Sequence, residues 1–258
     1  MGIVNLTPDS FAGDGTGTDV ELAIRHARHH LDAGADILDI GAESSRPGAV
    51  PTPADEELRR LLPVLREVTG WGIPVSVDTC KPKVMQAVLA AGAAMINDIT
   101  ALAHPDSLAV VAASDCAVCL MHMQGEPGTM QAAPRYDDVV AEVHDFLTAC
   151  VARCRVAGIA DERIVLDPGF GFGKTLEHNL HMFRALTAIG CDGLPLLAGL
   201  SRKSMLGAIT GRPVERRQAA SLAAALLAVE RGARIVRVHD VAETVDALAV
   251  LATLQQGD

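Results

Sequence analysis

Short apolar runs recur along the chain, and each is bounded by Gly, Pro, Asp or Asn residues. Runs of this length, rich in Val, Ile and Leu, are typical of strands that are buried on both faces of a parallel sheet. The pattern predicts eight strands, over residues 2–6, 37–40, 73–77, 95–96, 117–121, 164–166, 196–198 and 235–238.

Between these runs the apolar residues recur with the period of an α-helix. Helices are predicted over residues 20–33, 54–68, 82–91, 106–113, 137–157, 177–188, 218–231 and 242–254. Regular alternation of strands and helices, without an antiparallel pattern, favours an α/β fold closed as a single (β/α)8 TIM barrel. We therefore expect one domain over residues 1–258. The alternative is an open, doubly wound sheet, whose ligand would bind where the strand order reverses.

The segments that follow the predicted strands are the long ones. Several helices end in a glycine that turns the chain directly into the next strand. By contrast, polar segments rich in Gly, Pro or Thr follow four of the strands, over residues 7–19, 41–53, 124–136 and 200–214. In a (β/α)8 barrel these loops lie on one face and build the active site, so we expect the functional residues at the C-terminal ends of the strands.

Composition narrows the range of partners. The chain is 49% hydrophobic and its formal net charge is -10. The negative charge argues against a general surface for nucleic acid or anionic membrane, so an anionic ligand must meet a local basic patch. No apolar run reaches ~18 residues, the length of a membrane span, and no signal peptide, with a basic segment before an apolar run, is recognised. A cytoplasmic location is therefore expected.

The six cysteines are expected to be reduced and packed in the interior. Cys116 and Cys119 form a CxxC motif on a predicted strand. Residues three apart on a strand face opposite sides, which argues against a shared metal. Cys150 and Cys154 lie one helical turn apart, without a second pair.

Polar residues cluster at or just beyond the ends of the predicted strands. They are Asn5, Asp39, Asp78, Asn97, Asp98, His122, Asp167, Ser201, Lys203, Arg237 and His239. Helix capping is the alternative role for each acid or amide, and it suits Asp98, Asp106 and Asp137 well. For His122 we favour a hydrogen-bonded residue of the wall over a catalyst.

Asp78, Asn97 and Asp167 are expected to project into the same water-poor mouth of the barrel. An unpaired carboxylate is costly there, so this group requires a ligand rich in hydrogen-bond donors. An aminopyrimidine ring supplies such donors, and Lys203 can donate to its carbonyl or ring-nitrogen acceptors. The set suits the edge of a pterin or a purine.

Arg237 and His239 are two residues apart, so on an extended strand they face the same side and can reach one anion. Arg46, in the loop after the second strand, adds a further cation. The guanidinium fork matches phosphate oxygens, and a histidine donates as well. The alternative for Arg237 is a salt bridge to Asp240 or Glu243.

The glycine-rich segment 169–175 resembles a phosphate-binding P-loop, but the match fails. Pro168 occupies the position of the first glycine, and proline has neither the N–H nor the backbone freedom of a phosphate cradle. We predict a tight loop that gives a flat ligand access to Asp167, with Phe172 as a stacking wall. Lys174 is predicted to be a surface charge.

Six motifs make the sequence resemble bacterial dihydropteroate synthases along essentially its whole length. In the order of that family they are residues 1–11 (MGIVNLTPDSF), 39–48 (DIGAESSRPG), 76–79 (SVDT) with 96–99 (INDI), 166–174 (LDPGFGFGK), 201–204 (SRKS) and 237–240 (RVHD). The resemblance implies a TIM barrel and a Mg²⁺-dependent transferase of folate biosynthesis, the target class of sulfonamides. Its substrates would be 7,8-dihydropterin-6-ylmethyl diphosphate and p-aminobenzoate, and its products dihydropteroate and diphosphate. A cytoplasmic homodimer is the corresponding expectation.

The resemblance also assigns roles to individual residues. The pterin would be held by Asp78, Asn97, Asp167, Lys203 and Phe172. The diphosphate would be held by Arg46, Arg237 and His239. The p-aminobenzoate pocket would be shaped by Phe11, Ser45, Pro47, Phe172 and Ser201, and Asn5 would ligate Mg²⁺. Asp78, Lys203 and Arg46 are the expected catalytic residues.

The chemistry of these residues agrees with that reaction. Diphosphate is a good leaving group once Mg²⁺ and cations neutralise it, so a pterin-stabilised methylene cation can form without a protein nucleophile. Asp78 is our candidate for stabilising this cation. A single asparagine is a weak Mg²⁺ site, as expected where substrate phosphates and water complete the octahedron.

Two departures from the family fall in the loops after the first two strands. The family often has Thr where this chain has Ser45, and its first loop usually places an acid one position before Asp14. Two other functions remain open. A corrinoid methyltransferase would share the pterin pocket but needs no diphosphate site, and a paralogue could bind pterins without turnover.

Overall fold

A computed structural model describes residues 1–7, 15, 19–44 and 48–255 of the chain. Its eight strands are parallel and neighbours in sequence are neighbours in the sheet. The strands are β1 (Gly2–Asn5), β2 (Leu38–Gly41), β3 (Val75–Asp78), β4 (Met95–Asp98), β5 (Ala117–Met121), β6 (Ile164–Asp167), β7 (Leu196–Ala198) and β8 (Ala233–Val236).

Backbone hydrogen bonds join the two ends of this sheet. Val238, just beyond β8, donates its N–H to the carbonyl of Met1 at 3.0 Å, and its own carbonyl accepts from Ile3 at 3.0 Å. Because the first strand pairs with the segment after the last, the sheet is a closed barrel. The predicted (β/α)8 barrel is therefore confirmed, and the open, doubly wound sheet is wrong.

Helices follow the strands, close to the predicted positions. They are α1 (Val20–Asp32), α2 (Ala54–Val68), α3 (Pro82–Ala90), α4 (Pro105–Ala112), α5 (Val139–Val156), α6 (Leu176–Arg184), α7 (Leu186–Ile189), α8 (Ser204–Thr210), α9 (Gln218–Glu230) and α10 (Val241–Gln255). Among the described residues, none of these helices is long and apolar enough to cross a membrane.

Two helical segments differ from the prediction. The helix expected over 177–188 is divided into α6 and α7, because Ala185 leaves the helical conformation between them. The predicted loop 200–214 contains the short helix α8, which ends where Gly211 adopts a positive φ of 68°. A seven-residue helix with an internal glycine carries too weak a periodic pattern to be recognised in the sequence.

Two of the predicted caps are also wrong. The His104 ring, rather than Asp106, accepts the hydrogen bond at the start of α4. Asp138, the neighbour of Asp137, caps α5 by accepting from the N–H groups of Val140 and Ala141. Asp98 caps a turn rather than a helix, since its carboxylate accepts from the N–H groups of Thr100 and Leu102, ahead of the start of α4 at Pro105.

Apolar side chains fill the lower part of the barrel. One buried cluster lies between strands and helices, and a second is formed by Met1, Met95, Cys119, Val165 and Leu197. Side chains two apart on a strand share a face, so Asn97 lies above Met95 and Asp167 above Val165. The apolar floor thus directs polar side chains at the strand ends into the mouth of the barrel.

The cysteines are packed as expected. All six are free thiols, and five of them are buried, whereas Cys80 is half-buried. Cys116 belongs to the cluster between strands and helices, and Cys119 belongs to the cluster that includes Met95 and Val165. The two residues of the CxxC motif therefore face opposite sides of β5, which agrees with the argument against a shared metal.

Candidate active site

A cavity of about 410 Å³ opens at the C-terminal ends of the strands. The loops and strand ends that surround it bring together the predicted site residues that the structure describes. Those residues are Asn5, Asp78, Asn97, Asp167, Phe172, Ser201, Lys203, Arg237 and His239. The remaining expected residues, Phe11, Asp14, Ser45, Arg46 and Pro47, lie outside the described part of the chain.

Arg237 is paired with two carboxylates at the bottom of this cavity. Its Nε donates to Asp39 Oδ2 at 2.6 Å, and its Nη2 donates to Asp78 Oδ2 at 3.2 Å. The alternative of a salt bridge from Arg237 to Asp240 or Glu243 is therefore wrong. Arg237 points into the barrel, whereas Asp240 pairs with Arg202.

Asp39 connects this ion pair to the neighbouring strand. Its carboxylate has no exposed surface, and the same Oδ2 accepts a hydrogen bond from Asn97 Nδ2 at 3.3 Å. One buried carboxylate thus orients both the guanidinium of Arg237 and the side-chain amide of Asn97. Removing a charged partner at such a depth is costly, because the other charge stays buried.

Burial changes the proton affinity of the groups that line the cavity. It raises the pKa of Asp78 to about 7, although the charge of Arg237 opposes the shift. It also raises the pKa of Asp167, against the charge of Lys203. Conversely, burial lowers the pKa of Lys203 to about 8, and here Asp167 opposes the shift. The site therefore favours a ligand that stabilises both carboxylates by donating hydrogen bonds to them.

The chain from Pro168 to Gly173 forms a tight loop beside Asp167, which we call the glycine loop. Asp167 Oδ1 accepts from the N–H of Gly169 at 2.7 Å. Gly169 has a φ of +68°, and a Cβ there would lie 1.9 Å from the carbonyl oxygen of His122, so only glycine fits. On the cavity side, Lys203 Nζ donates to the carbonyl of Phe170 and lies 4.8 Å from the centre of the Phe172 ring.

Lys174 follows the glycine loop, and the prediction of a surface charge is wrong for it. Its surface is 3% exposed, and its ammonium lies 2.9 Å from His122 Nδ1. The carbonyls of Gly169 and Phe172 also accept from it. Charge alone favoured the surface, but the fold turns these carbonyls inward and so provides acceptors for a buried ammonium.

His122 is hydrogen-bonded, as expected, but it is not among the residues that line the cavity. It is buried, and its ring packs edge-on against Phe146 with the ring centres 4.9 Å apart. Burial, followed by the nearby charge of Lys174, lowers the pKa of His122 to about 3. The imidazole is therefore neutral at ordinary pH, which suits its position as a hydrogen-bond acceptor.

Ser201 and His239 form a polar contact on another wall of the cavity. The Ser201 hydroxyl lies 2.9 Å from His239 Nδ1 and also accepts from the backbone N–H of His239 at 3.2 Å. Asn5, at the end of β1, lines the same cavity. Among the residues that the structure describes, no group of three His, Cys, Asp or Glu side chains is arranged to hold a metal ion.

Comparison with known proteins adds an independent line of argument. Residues 1–239 match the family model of pterin binding enzymes. The chain is 48% identical, over 256 residues, to the dihydropteroate synthase of Escherichia coli (strain K12), a match that covers 98% of this chain and 91% of the relative. The chain belongs to the dihydropteroate synthase family.

Solved structures of dihydropteroate synthases have the same fold. The Burkholderia cenocepacia synthase complexed with 7,8-dihydropteroate superimposes with a TM-score of 0.90 at 50% identity, covering 99% of this chain and 90% of that one. The Xanthomonas albilineans synthase with 4-aminobenzoic acid gives 0.93 at 51%, covering 100% and 93%. Membership of the dihydropteroate synthase family argues against the corrinoid methyltransferase alternative.

Sequence reasoning missed a second ion-pair cluster beside the cavity. Lys81 Nζ lies 2.5 Å from Glu43 Oε2 and 2.8 Å from Glu57 Oε2, and Glu57 is completely buried. Glu43 lines the cavity and also accepts from the N–H of Thr52. The cluster connects the loop after β2 to α2 and α3. A glutamate on the apolar face of α2 was the available signal, because such a residue requires a buried partner.

Proposed function

We propose that this chain is a dihydropteroate synthase, which transfers the 7,8-dihydropterin-6-ylmethyl group from its diphosphate to the amine of p-aminobenzoate. The methylene C–O bond to the diphosphate breaks, a C–N bond to the amine forms, and the amine loses a proton. The observation that carries the proposal is that buried Asn97 and Asp167 and half-buried Asp78 and Lys203 line one cavity.

This set is complementary to the edge of a pterin. Asp78 and Asp167 are costly as buried carboxylates, and the amino and ring N–H groups of a pterin would offset that cost by donating to them. Lys203 offers its ammonium to the ring carbonyl or a ring nitrogen. The Phe172 ring beside Lys203 provides a flat apolar surface on which a planar ring can stack.

The charge arrangement also favours loss of the diphosphate. As the methylene–oxygen bond breaks, positive charge develops on the pterin methylene, and the carboxylate of Asp78 would stabilise it. Arg237 holds Asp78 by a hydrogen bond, and with His239 it offers donors to the departing oxygens. Arg46 is proposed to add a further cation that binds the departing diphosphate.

Asn5 would hold Mg²⁺ together with phosphate oxygens of the substrate. One amide oxygen on the cavity wall is a poor all-protein site, but it fits an ion that retains water and phosphate ligands. A bound Mg²⁺ would neutralise the diphosphate as it leaves. Chelating Mg²⁺ should therefore abolish turnover but leave the binding of a pterin without a diphosphate unchanged.

The second substrate, p-aminobenzoate, would lie between Phe172 and Ser201, beside the aliphatic part of Lys203. Phe11, Ser45 and Pro47 are proposed to complete its pocket. A homodimer in the cytoplasm is also part of the proposal. Exposed apolar side chains on the outer helices, Leu227 on α9 with Val250 and Leu254 on α10, support self-association. The molar mass in solution, measured by light scattering, tests the dimer.

The decisive experiment incubates the purified chain with the pterin diphosphate, p-aminobenzoate and Mg²⁺. Dihydropteroate and diphosphate are expected in equal amounts. Asp167→Asn should weaken pterin binding. Arg237→Ala should weaken diphosphate binding and also destabilise the chain, because it leaves Asp39 buried without its charged partner. The exposed Asp55→Asn serves as a matched control. Pterin binding without product, across a wide range of substrate concentrations, would overturn the proposal and support a non-catalytic paralogue.

A further inference from the structure

Lys174 lines the cavity with a side chain that is only 3% exposed, and it holds the glycine loop by several hydrogen bonds. Its ammonium is within 2.9 Å of the carbonyl of Gly169, the carbonyl of Phe172 and Nδ1 of His122. The carbonyl of His122 lies a little farther away, at 3.3 Å, so four acceptors surround the three N–H donors of the charged form. Burial lowers the pKa of Lys174 to about 7, against the charge of Asp167. The contacts join both ends of the loop to the end of β5.

The loop that Lys174 holds is packed too closely to adopt another path without moving its neighbours. A Cβ on Gly173 would lie 2.3 Å from the carbonyl oxygen of Gln124, as one on Gly169 would clash with His122. The N–H of Gly171 donates to Asn179 Oδ1 at 2.8 Å. Lys174 differs from these contacts because its ammonium joins two carbonyls of the loop to His122, the residue that follows β5.

The position of the loop determines two features of the cavity. The Phe170 carbonyl accepts from Lys203, and the Phe172 ring lies beside the same ammonium. Both lysines line the cavity and contact the loop, Lys203 at the carbonyl of Phe170 and Lys174 at the carbonyls of Gly169 and Phe172. A displacement of the Phe172 carbonyl, which Lys174 holds, would carry the Phe172 ring with it.

We propose that Lys174 is a positioning residue of the synthase, whose ammonium fixes the glycine loop so that Phe172 forms the wall of the p-aminobenzoate pocket. This inference rests on the proposed function. Asp78, Asn97 and Asp167 lie on strands, and only Asp167 among them also accepts from the loop, at the N–H of Gly169. Loss of the Lys174 contacts should therefore affect the second substrate far more than the pterin.

The test compares Lys174→Met, which keeps most of the side-chain volume but removes the donors, with Lys83→Met, a matched control at an exposed lysine. In Lys174→Met we expect the KM for p-aminobenzoate to rise at least tenfold. The Kd for the pterin diphosphate, measured calorimetrically without p-aminobenzoate, should change less than threefold. Lys83→Met should leave both values unchanged.

His122→Leu is a milder second variant, since it removes the Nδ1 acceptor and leaves the backbone carbonyls that contact Lys174. It should raise the same KM about threefold, and it reports on the proposal if Lys174→Met does not fold. Turnover by the wild-type chain upholds the proposed function. If the wild-type chain is active, an unchanged KM for p-aminobenzoate in either folded variant would overturn the inference about Lys174. Equal loss of pterin and p-aminobenzoate binding would also overturn it, since that result indicates general structural damage. A wild-type chain without turnover would overturn the proposed function itself.

Discussion

The buried carboxylate of Asp39 offers a sharp test of the electrostatics of the site. It pairs with Arg237 at 2.6 Å and has no exposed surface, so Asp39→Asn removes a charge while keeping the shape. Breaking a buried ion pair costs ~3–5 kcal/mol, but Arg237 keeps its bond to Asp78 and part of its exposure. We therefore expect a loss of about 2–3 kcal/mol, or a fall in Tm of roughly 4–12 °C.

The functional consequence concerns Asp78. The charge of Asp39 contributes to raising the pKa of Asp78, so its removal should lower that pKa. The acid limb of kcat/KM for the pterin diphosphate reports ionisations of the free enzyme, and it should therefore move to lower pH in Asp39→Asn.

The assay is the pH dependence of initial rates at low pterin diphosphate concentration, with Asp55→Asn as the control. Asp55 is an exposed acid that pairs with Lys83, so its neutralisation should leave the profile unchanged. An acid limb in Asp39→Asn that stays in place or moves to higher pH would refute the reasoning about Asp78. A change shared by both variants would attribute the effect to net charge instead.

Three further predictions follow from burial and backbone geometry. Pterin binding should release protons near pH 7, because hydrogen-bond donors on the ligand favour the charged form of Asp78, whose pKa is about 7 in the free chain. Calorimetry in buffers of different ionisation enthalpy measures this release. Binding without proton release would contradict the prediction. Gly169→Ala should lower the free energy of unfolding by at least ~3 kcal/mol, measured by thermal unfolding, because its Cβ would clash with the carbonyl of His122. Gly72 also has a positive φ but nothing lies near its Cβ, so Gly72→Ala should lower the free energy of unfolding by only ~1–2 kcal/mol. Equal losses in the two variants would contradict the clash at Gly169. Burial lowers the pKa of His122 to about 3, so the folded chain loses stability as pH falls below 6.5. Between pH 6.5 and 4.5 this loss is about 2.3 kcal/mol, and His122→Asn should remove it from the free energy of unfolding measured in urea. An unchanged slope with pH would oppose this assignment.

The sequence by itself determined the order of the elements and the chemistry of the strand ends. Eight apolar runs alternating with helical patterns are local signals, and they predicted the barrel because each strand needs helices on its outer face. Asp78, Asn97, Asp167 and Lys203 were recognisable because they follow apolar runs. In a barrel, the ends of all strands meet at one face.

Only the tertiary structure decided which charges pair. Arg237 was expected to bind an anion, with a salt bridge to Asp240 or Glu243, its neighbours in sequence, as the alternative. That alternative is wrong, because Arg237 pairs with Asp39 and Asp78 from distant strands. Lys174 was placed on the surface because charged side chains are usually exposed, and the buried carbonyls that receive it have no signature in the sequence. Periodicity records which face of an element is apolar, whereas the partner of a buried charge depends on contacts between residues far apart in the chain.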